Sequence, residues 1–505
     1  MNSKVFPIQK LPEEVLEHIL LFLPLADRKS ASLVCKMWEK LAFSRRVLRK
    51  VTLKIPLAFK RKEIFEHRVG STRRYRNLSV IVVKRDRYQH FLTYLMAILE
   101  VYGADVESFQ CQAHLNLREL CMVLCCLPKL QQFTVVSKYS HWSQAYPSWG
   151  EMTALETTLH AMPIENVVVP NVTQLSTVIN NPWEGQAFMH ILRHLAPQLV
   201  NVDLYSMRYF FPLKELQFPK VEVLKMGGNL CTRQTELDLR TFFTGFKLLK
   251  EIILESNVKE IALHVLTKAC PQIELLKFKV PRSKPVPFHL LRRLKFLKTL
   301  GLKEVNNVLE ISLHGNALAG VKNFSLELAE CGKISIERLG HLLPNVTTLD
   351  VTLKANWNFQ VAMKHICRNF RGLQRLEISD QTTRRQTFSS SLAVLEHLHQ
   401  LEELTFQDIR TRIVDMPLNP LLKRFVMKEP YWFSNYDLLE LAKQYPNLRY
   451  LELGPGQRVS SWGIKAFKSK LVNCAVHCIP SALVLNDVET NYRQIMEMPE
   501  HMRTE

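Results

Sequence analysis

Two hydrophobic periodicities divide this chain. Near the N-terminus, Val15, Leu16, Ile19, Leu20 and Leu23 fall at i, i+1, i+4, i+5 and i+8, an apolar stripe at helical spacing. Pro12 suits the first turn of that helix, where its missing N–H would be unpaired anyway. Glu13 and Glu14 follow, and their charge complements the positive end of the helix dipole. Pro24 ends the helix, and Asp27 is read as the N-cap of a second. Ala31, Val34 and Cys35 are expected to face inward there, and Trp38 and Leu41 to close a third short helix. Three short helices over about 40 residues sit near the lower size limit for independent folding, which points to a unit stabilised against a partner.

From about residue 106 to residue 453 the pattern becomes an apolar helix-like run, a turn, then Leu-x-x-Leu-x-Leu. Copies begin at Leu130, Leu199, Val221, Leu249, Ile273, Leu297, Val321, Val346, Leu373, Leu401, Leu422 and Leu448. From Val221 to Leu448 nine steps cover 227 residues, about 25 each, and this period with this alternation indicates leucine-rich repeats. Fourth and sixth residues of each copy point to one side of a strand, third and fifth to the other. The apolar side faces a returning helix, and each unit needs its neighbours to cover its ends. Leu266-Thr-Lys-Ala-Cys-Pro-Gln-Ile273 shows the helix-to-strand joint, repeated at Leu339–Val346 and Leu441–Leu448. Leu48-x-x-Val51-x-Leu53 and Leu78-x-x-Ile81-x-Val83 are read as atypical first strands, and Ala482–Leu485 as a last one. The Asn or Cys that caps the turn after a regular repeat strand is mostly missing, and units stretch near 139–163 and 380–397. An irregular horseshoe follows.

The N-terminal landmarks run in order: Leu11-Pro12, Glu14, Leu16, Ile19, Leu23-Pro24-Leu25, Asp27, Ala31, Leu33-Val34-Cys35-Lys36 and Trp38. This segment closely resembles an F-box, and with the repeats behind it the chain resembles the F-box–leucine-rich-repeat family. The expected fold class is therefore α/β, a short all-α F-box followed by an irregular leucine-rich-repeat solenoid. The divisions are 8–52 for the F-box, 53–105 for a basic linker and atypical capping repeats, 106–480 for the solenoid, and 481–505 for a last strand and tail. The resemblance implies docking on a Skp-type adaptor and, through it, cullin and RING subunits. Leu11, Pro12, Leu16, Ile19, Leu23, Val34, Cys35 and Trp38 would form the adaptor surface and its support, two roles that the sequence does not separate. It also implies a non-catalytic substrate receptor of an SCF-type (Skp–cullin–F-box) ubiquitin ligase. Such a receptor acts by proximity, holding a protein substrate near the ubiquitin-loaded enzyme. The rival reading is an F-box-bearing scaffold, or a basic chromatin or nucleic-acid binder, acting without degradation.

Charge sharpens these alternatives. The net charge is +20, but residues 28–87 hold 19 Lys/Arg against 4 Asp/Glu, and residues 279–303 hold 8 against none. The excess is local. Within the first segment, Arg73, Arg74 and Arg76 are a candidate phosphate clamp. The alternatives there are an electrostatic surface for an acidic partner, the route by which nucleic acid would bind, and a solvated face. Among third and fifth strand positions, Lys225, Lys277, Arg375 and Arg424 are met by Asp203, Glu251, Asp350, Glu377, Glu403 and Glu452. That mixture is no track for a nucleic-acid backbone. Val223, Ile253 and Leu275, rimmed by Lys225 and Lys277, form a candidate substrate-binding patch.

The remaining chemistry is sparse. No Gly-rich phosphate loop is present, and Cys474, His477 and Cys478 match no zinc spacing, so neither cofactor nor metal is expected. The eleven cysteines read as reduced, mostly buried small hydrophobes, those at Cys121, Cys125 and Cys126 included. Glu13, Glu14 and Glu17 interrupt any signal-peptide pattern, and no stretch reaches 18 apolar residues. A cytoplasmic or nuclear protein that binds no membrane is the expectation. Lys60-Arg61-Lys62 is a minimal candidate for nuclear targeting.

Overall fold

The computed structural model describes residues 8, 11–57, 73–82, 91–112, 115, 117–136, 171–179, 189, 191–206, 216–228, 235–281, 286–305, 317–328, 336–355, 359–382, 390–408, 413–428, 433–455 and 458–478. They fall into two compact units, residues 1–249 and 250–505. The expected segments 139–163 and Ala482–Leu485, and part of 380–397, lie outside the described residues.

The first unit opens with helices α1 (Glu13–Phe22), α2 (Leu25–Ser32), α3 (Lys36–Ala42) and α4 (Arg45–Leu48). Two details differ from the sequence reading. Pro12 occupies the N-cap of α1 instead of its first turn. Pro24 does the same for α2, which leaves Asp27 inside that helix's first turn. A residue preceding the helix needs no helical N–H partner, so both prolines stand where the chain turns in. Ser44 caps α4 by accepting from the Val47 N–H, and its hydroxyl donates to the Glu17 carboxylate on α1. Val47 and Leu48 are buried.

Seven strands follow: β1 (Thr52–Leu57), β2 (Asn77–Val82), β3 (Ser108–Gln112), β4 (Gln132–Val136), β5 (Gln174–Ile179), β6 (Asn201–Ser206) and β7 (Val223–Gly228). Each pairs in parallel with the next. Leu53, Leu78, Phe109, Phe133, Leu175, Val202 and Leu224 align across this sheet as the fourth position of the repeat. The register corrects the sequence reading of the first two strands. Leu53 and Leu78 are fourth-position residues, followed at the sixth by Ile55 and Val80, so the expected triplets were displaced by two and three residues. Leu48 belongs to α4 and is buried there; its apolarity mimicked the start of a repeat.

In the second unit, β8 (Glu251–Asn257), β9 (Leu275–Lys279), β10 (Thr299–Val305), β11 (Asn323–Leu328), β12 (Thr348–Ala355) and β13 (Arg375–Thr382) pair in parallel order. The ladder continues through β15 (Glu403–Gln407), β17 (Arg424–Lys428), β18 (Tyr450–Leu453) and β19 (Ala475–Cys478). The short strands β14 (Ser390–Ser391) and β16 (Ile413–Val414) pair separately. Ile252, Leu276, Leu300, Phe324, Leu349 and Leu376 are all buried in the aligned fourth row.

Between units of the repeat, the backbone closes its own ladder. Lys298 N and Thr299 N both donate to the Glu274 carbonyl, and Lys322 N and Asn323 N to that of Lys298, with the same pairing down the array. Asn345 and Asn447, each directly after a proline, donate to the carbonyls of Ala319 and Pro420 at 2.9 Å. These bonds reach the preceding turn from the strand's entry side and satisfy carbonyls of irregular backbone. They tie successive turns together where the usual asparagine after the strand is missing.

Candidate partner-binding surfaces

The helical domain has two apolar populations. Leu16, Leu20, Ala31, Leu41 and Ala42 form its buried core, with Leu11, Leu23, Met37, Trp38 and Phe43 packed against it. A second group faces solvent: Val15 and Ile19 on α1, Phe22 at its end (76% exposed), Leu25 at the start of α2, and Leu33 (86%) and Val34 (62%) in the turn to α3. The eight residues assigned to the adaptor surface and its support therefore separate. Leu11, Leu16, Leu23 and Trp38 hold the helices together, whereas Pro12, Ile19, Val34 and Cys35 are exposed. The expectation that Val34 and Cys35 face inward fails because α2 ends at Ser32. The next three residues form a turn, and only Ala31 reaches the core. Arg28 Nε donates to the Leu23 carbonyl at 2.8 Å and fixes the turn between α1 and α2. Val15, Phe22, Leu25 and Leu33 were not singled out from sequence. Their signal is being apolar while lying off the buried stripe.

The three arginines of the candidate clamp point to separate partners. The Arg73 guanidinium lies 3.5 Å from the Phe43 ring centroid and 3.9 Å from the Glu39 carboxylate, bridging α3 to the entry of β2. Arg74 is 3.6 Å from Asp105, and Arg76 is 2.6 Å from Glu107. Each guanidinium faces its own carboxylate, so they do not converge on one anion. Asp105 also accepts from Lys129 at 2.6 Å. That hydrogen bond, with the Lys129, Arg74 and Arg45 charges, holds its carboxyl below the usual range against partial desolvation. Lys60–Lys62 lie outside the described residues. In the second basic segment, Lys279, Lys298 and Lys303 meet Glu304, Glu274 and Glu255 at 2.7, 2.6 and 3.3 Å. Acids outside the segment, or just past its end, balance those three lysines.

The candidate substrate patch is divided. Val223 and Lys225 belong to the first unit, Ile253, Leu275 and Lys277 to the second. Ile253 stands beside Lys277, whereas Leu275 stands beside Glu251 and Thr299. Its apolar members in the second unit therefore occupy different rows. The Lys277 stem lies over Gly301, where a Cβ would be 2.6 Å from Lys277 Cγ. Further along, Arg375 is 3.6 Å from Glu377 and 3.7 Å from Glu403, and Lys428 is 3.5 Å from Glu377. Arg424 sits 3.6 Å from Glu452 and 4.0 Å from the Tyr450 ring centroid. Desolvation and the Glu377 charge push the Asp350 carboxyl up. This face of the second unit is charged and largely neutralised by its own neighbours.

Burial pushes the thiols of Cys111, Cys270 and Cys367 up to about 12, which keeps them protonated and non-nucleophilic at neutral pH. Cys125 is exposed and Cys121 and Cys126 are half-buried, so this trio is less enclosed than its apolar helical context implies. Among the described residues no group of three or more His, Cys, Asp or Glu side chains could hold a metal ion. No described helix is long and apolar enough to cross a membrane.

Residues 8–54 match the F-box-like family. No curated protein matches the chain in sequence. Among solved structures, a leucine-rich-repeat protein of Leptospira interrogans is 14% identical, covering 84% of this chain and 100% of that one at a TM-score of 0.34. The leucine-rich-repeat protein LegL7 of Legionella pneumophila is 14% identical over 69% of this chain and 97% of its own, at 0.33. The yeast Rad7–Elc1 complex is 10% identical over 89% and 90%, at 0.31. The N-terminal helices are an F-box-like domain, and the parallel strands behind them, with their helical returns and buried fourth-position row, are leucine-rich repeats.

Proposed function

We propose that the chain is the substrate-recognition subunit of an SCF-type ubiquitin ligase, with its F-box-like domain docked on a Skp-type adaptor. The observation that carries this reading is the outward apolar group Ile19, Phe22, Leu25, Leu33 and Val34 on a domain otherwise too small to leave such residues idle. Fully burying a side chain of this kind contributes about 1.5–3 kcal/mol, so covering several of them supplies a protein interface with its apolar centre. The cullin and RING subunits follow from the adaptor, and the repeats then hold a protein substrate at high effective concentration beside the ubiquitin-loaded enzyme. The chain itself contributes binding and position, not covalent chemistry. Such an assembly works in the cytoplasm or nucleus.

Co-purification of full-length chain with a Skp-type adaptor and cullin tests the proposal. Wild type brings both down, and Phe22→Glu/Leu33→Glu brings down neither while keeping its fold. Absence of adaptor from the wild-type complex would sink the reading. The rival, a nucleic-acid binder, requires instead a steep salt dependence of binding. The pairing of Arg73, Arg74 and Arg76 with three separate carboxylates argues against it.

A further inference from the structure

In the second unit, strands β8–β10 and the helices and turns beside them balance charge differently. On the strands, Lys277, Lys279 and Lys303 are matched in number by Glu251, Glu255 and Glu304. Off the strands, the described residues of 258–298 hold six Lys/Arg against two acids, Glu260 and Glu274. Both acids are engaged, Glu260 at 3.7 Å from His289 and Glu274 at 2.6 Å from Lys298. Lys268, Arg293 and Lys295 are exposed and meet no carboxylate among the described residues. The Arg293 guanidinium stands 3.4 Å from His264 Nδ1 on the helix Glu260–Ala269, and Lys268 lies one turn further along that helix. Phe296, next in the chain after Lys295, is 62% exposed. The following turn at Ala319–Gly320 runs against the Leu297 carbonyl, 3.0 Å from where a Gly320 Cβ would stand, and its small residues leave the ring uncovered.

We infer that the surface around Lys268, Arg293, Lys295 and Phe296 is a docking site for an acidic polypeptide segment that carries an apolar side chain. Unmatched guanidinium and ammonium groups attract carboxylates and speed their encounter. Single exposed ion pairs contribute little, so Phe296 supplies the apolar centre that a protein interface needs. Phosphate backbones and anionic lipid surfaces repeat their negative charge without a break, and would set it against Glu260 and Glu274 as well. A polypeptide places its acids opposite the bases alone and its apolar residue on the ring. The strand lysines offer no such attraction, because Lys279 and Lys303 already face Glu304 and Glu255 at 2.7 and 3.3 Å. The inference goes beyond the receptor reading and stands without it, since none of these residues belongs to the F-box-like domain.

Selection of a displayed library of random peptides on the full-length chain tests it. The recovered peptides are rich in Asp and Glu with a Leu, Met or aromatic residue among them, and their affinity falls about tenfold or more between roughly 50 and 500 mM salt. Arg293→Glu/Lys295→Glu weakens them about tenfold or more, and the milder Lys268→Ala/Arg293→Ala acts in the same direction. Phe296→Ser weakens them about three- to tenfold. These variants melt as wild type does, because the substituted side chains are exposed. Lys279→Gln/Lys303→Gln, on the strands, leaves binding unchanged. Neutral or basic peptides, salt-insensitive binding, full affinity in both charge variants, or recovery of no peptide would each overturn the inference. So would a single-stranded oligonucleotide, or vesicles containing phosphatidylserine, binding through Arg293 and Lys295 in place of acidic peptide.

Discussion

The F-box-like helices and the repeat array use apolar residues in opposite ways. In the array, leucine and phenylalanine at fourth and sixth positions are almost completely enclosed, as at Phe133, Leu276 and Phe425. Each is covered by the next unit, so the array finishes its own core. The helical domain spends five residues on a small core and leaves Phe22, Leu33 and Val34 more than half exposed. A domain that completes itself supports a surface; one that leaves apolar side chains outside is completed by something else.

This contrast can be broken at either end. The largest expected effect is in the array, where Phe425→Ala removes a fully buried ring between Phe406 and Tyr445. It should destabilise the second unit by about 3–5 kcal/mol in denaturant unfolding and leave adaptor binding intact. In the helical core, Leu20→Ala should cost about 2–5 kcal/mol. Melting should follow, and adaptor binding should fall with it and recover when bound adaptor stabilises the fold. A smaller effect is expected at the join. Arg73→Ala loses the cation–π contact with Phe43, worth about 0.5–1 kcal/mol, and should raise hydrogen exchange at α3 and at the entry of β2 together. The smallest is Asp105→Asn, under about 1 kcal/mol. Because the folded carboxyl is held below its ordinary value, its contribution is present above about pH 4 and lost as pH falls through the lowered value. The variant's deficit in thermal stability should therefore vanish on acidification, and a deficit that persists in acid would contradict the assignment.

Much of the array was legible from sequence because burial and hydrogen bonding repeat there with one period. All twelve copies of the pattern correspond to strands. Those missed carry weaker sixth positions: Cys111 on β3 and Thr177 on β5, both buried despite being small or polar. Thr177 shows that enclosure by neighbouring units, not its own hydrophobicity, decides its place. β19 escaped because its alternating apolar residues, Val476 and Cys478, are only half-buried. The site was less legible. Apolar identity does not reveal which side of a short helix meets its neighbours, so Val34 was expected inside and Phe22 was passed over. The pairing of the three arginines joins residues about 30 positions apart in the chain, which no local pattern encodes.

The central claim is that the outward apolar group of the helical domain is a docking surface separate from its core. Calorimetric titration of a Skp-type adaptor into the full-length chain tests it most directly, comparing wild type with Phe22→Glu/Leu33→Glu at matched thermal stability. The account predicts tight wild-type binding with a negative heat-capacity change from apolar burial, and a loss of affinity of at least about 100-fold in the variant without a shift in melting. Equal affinity of the two proteins for the adaptor would contradict it.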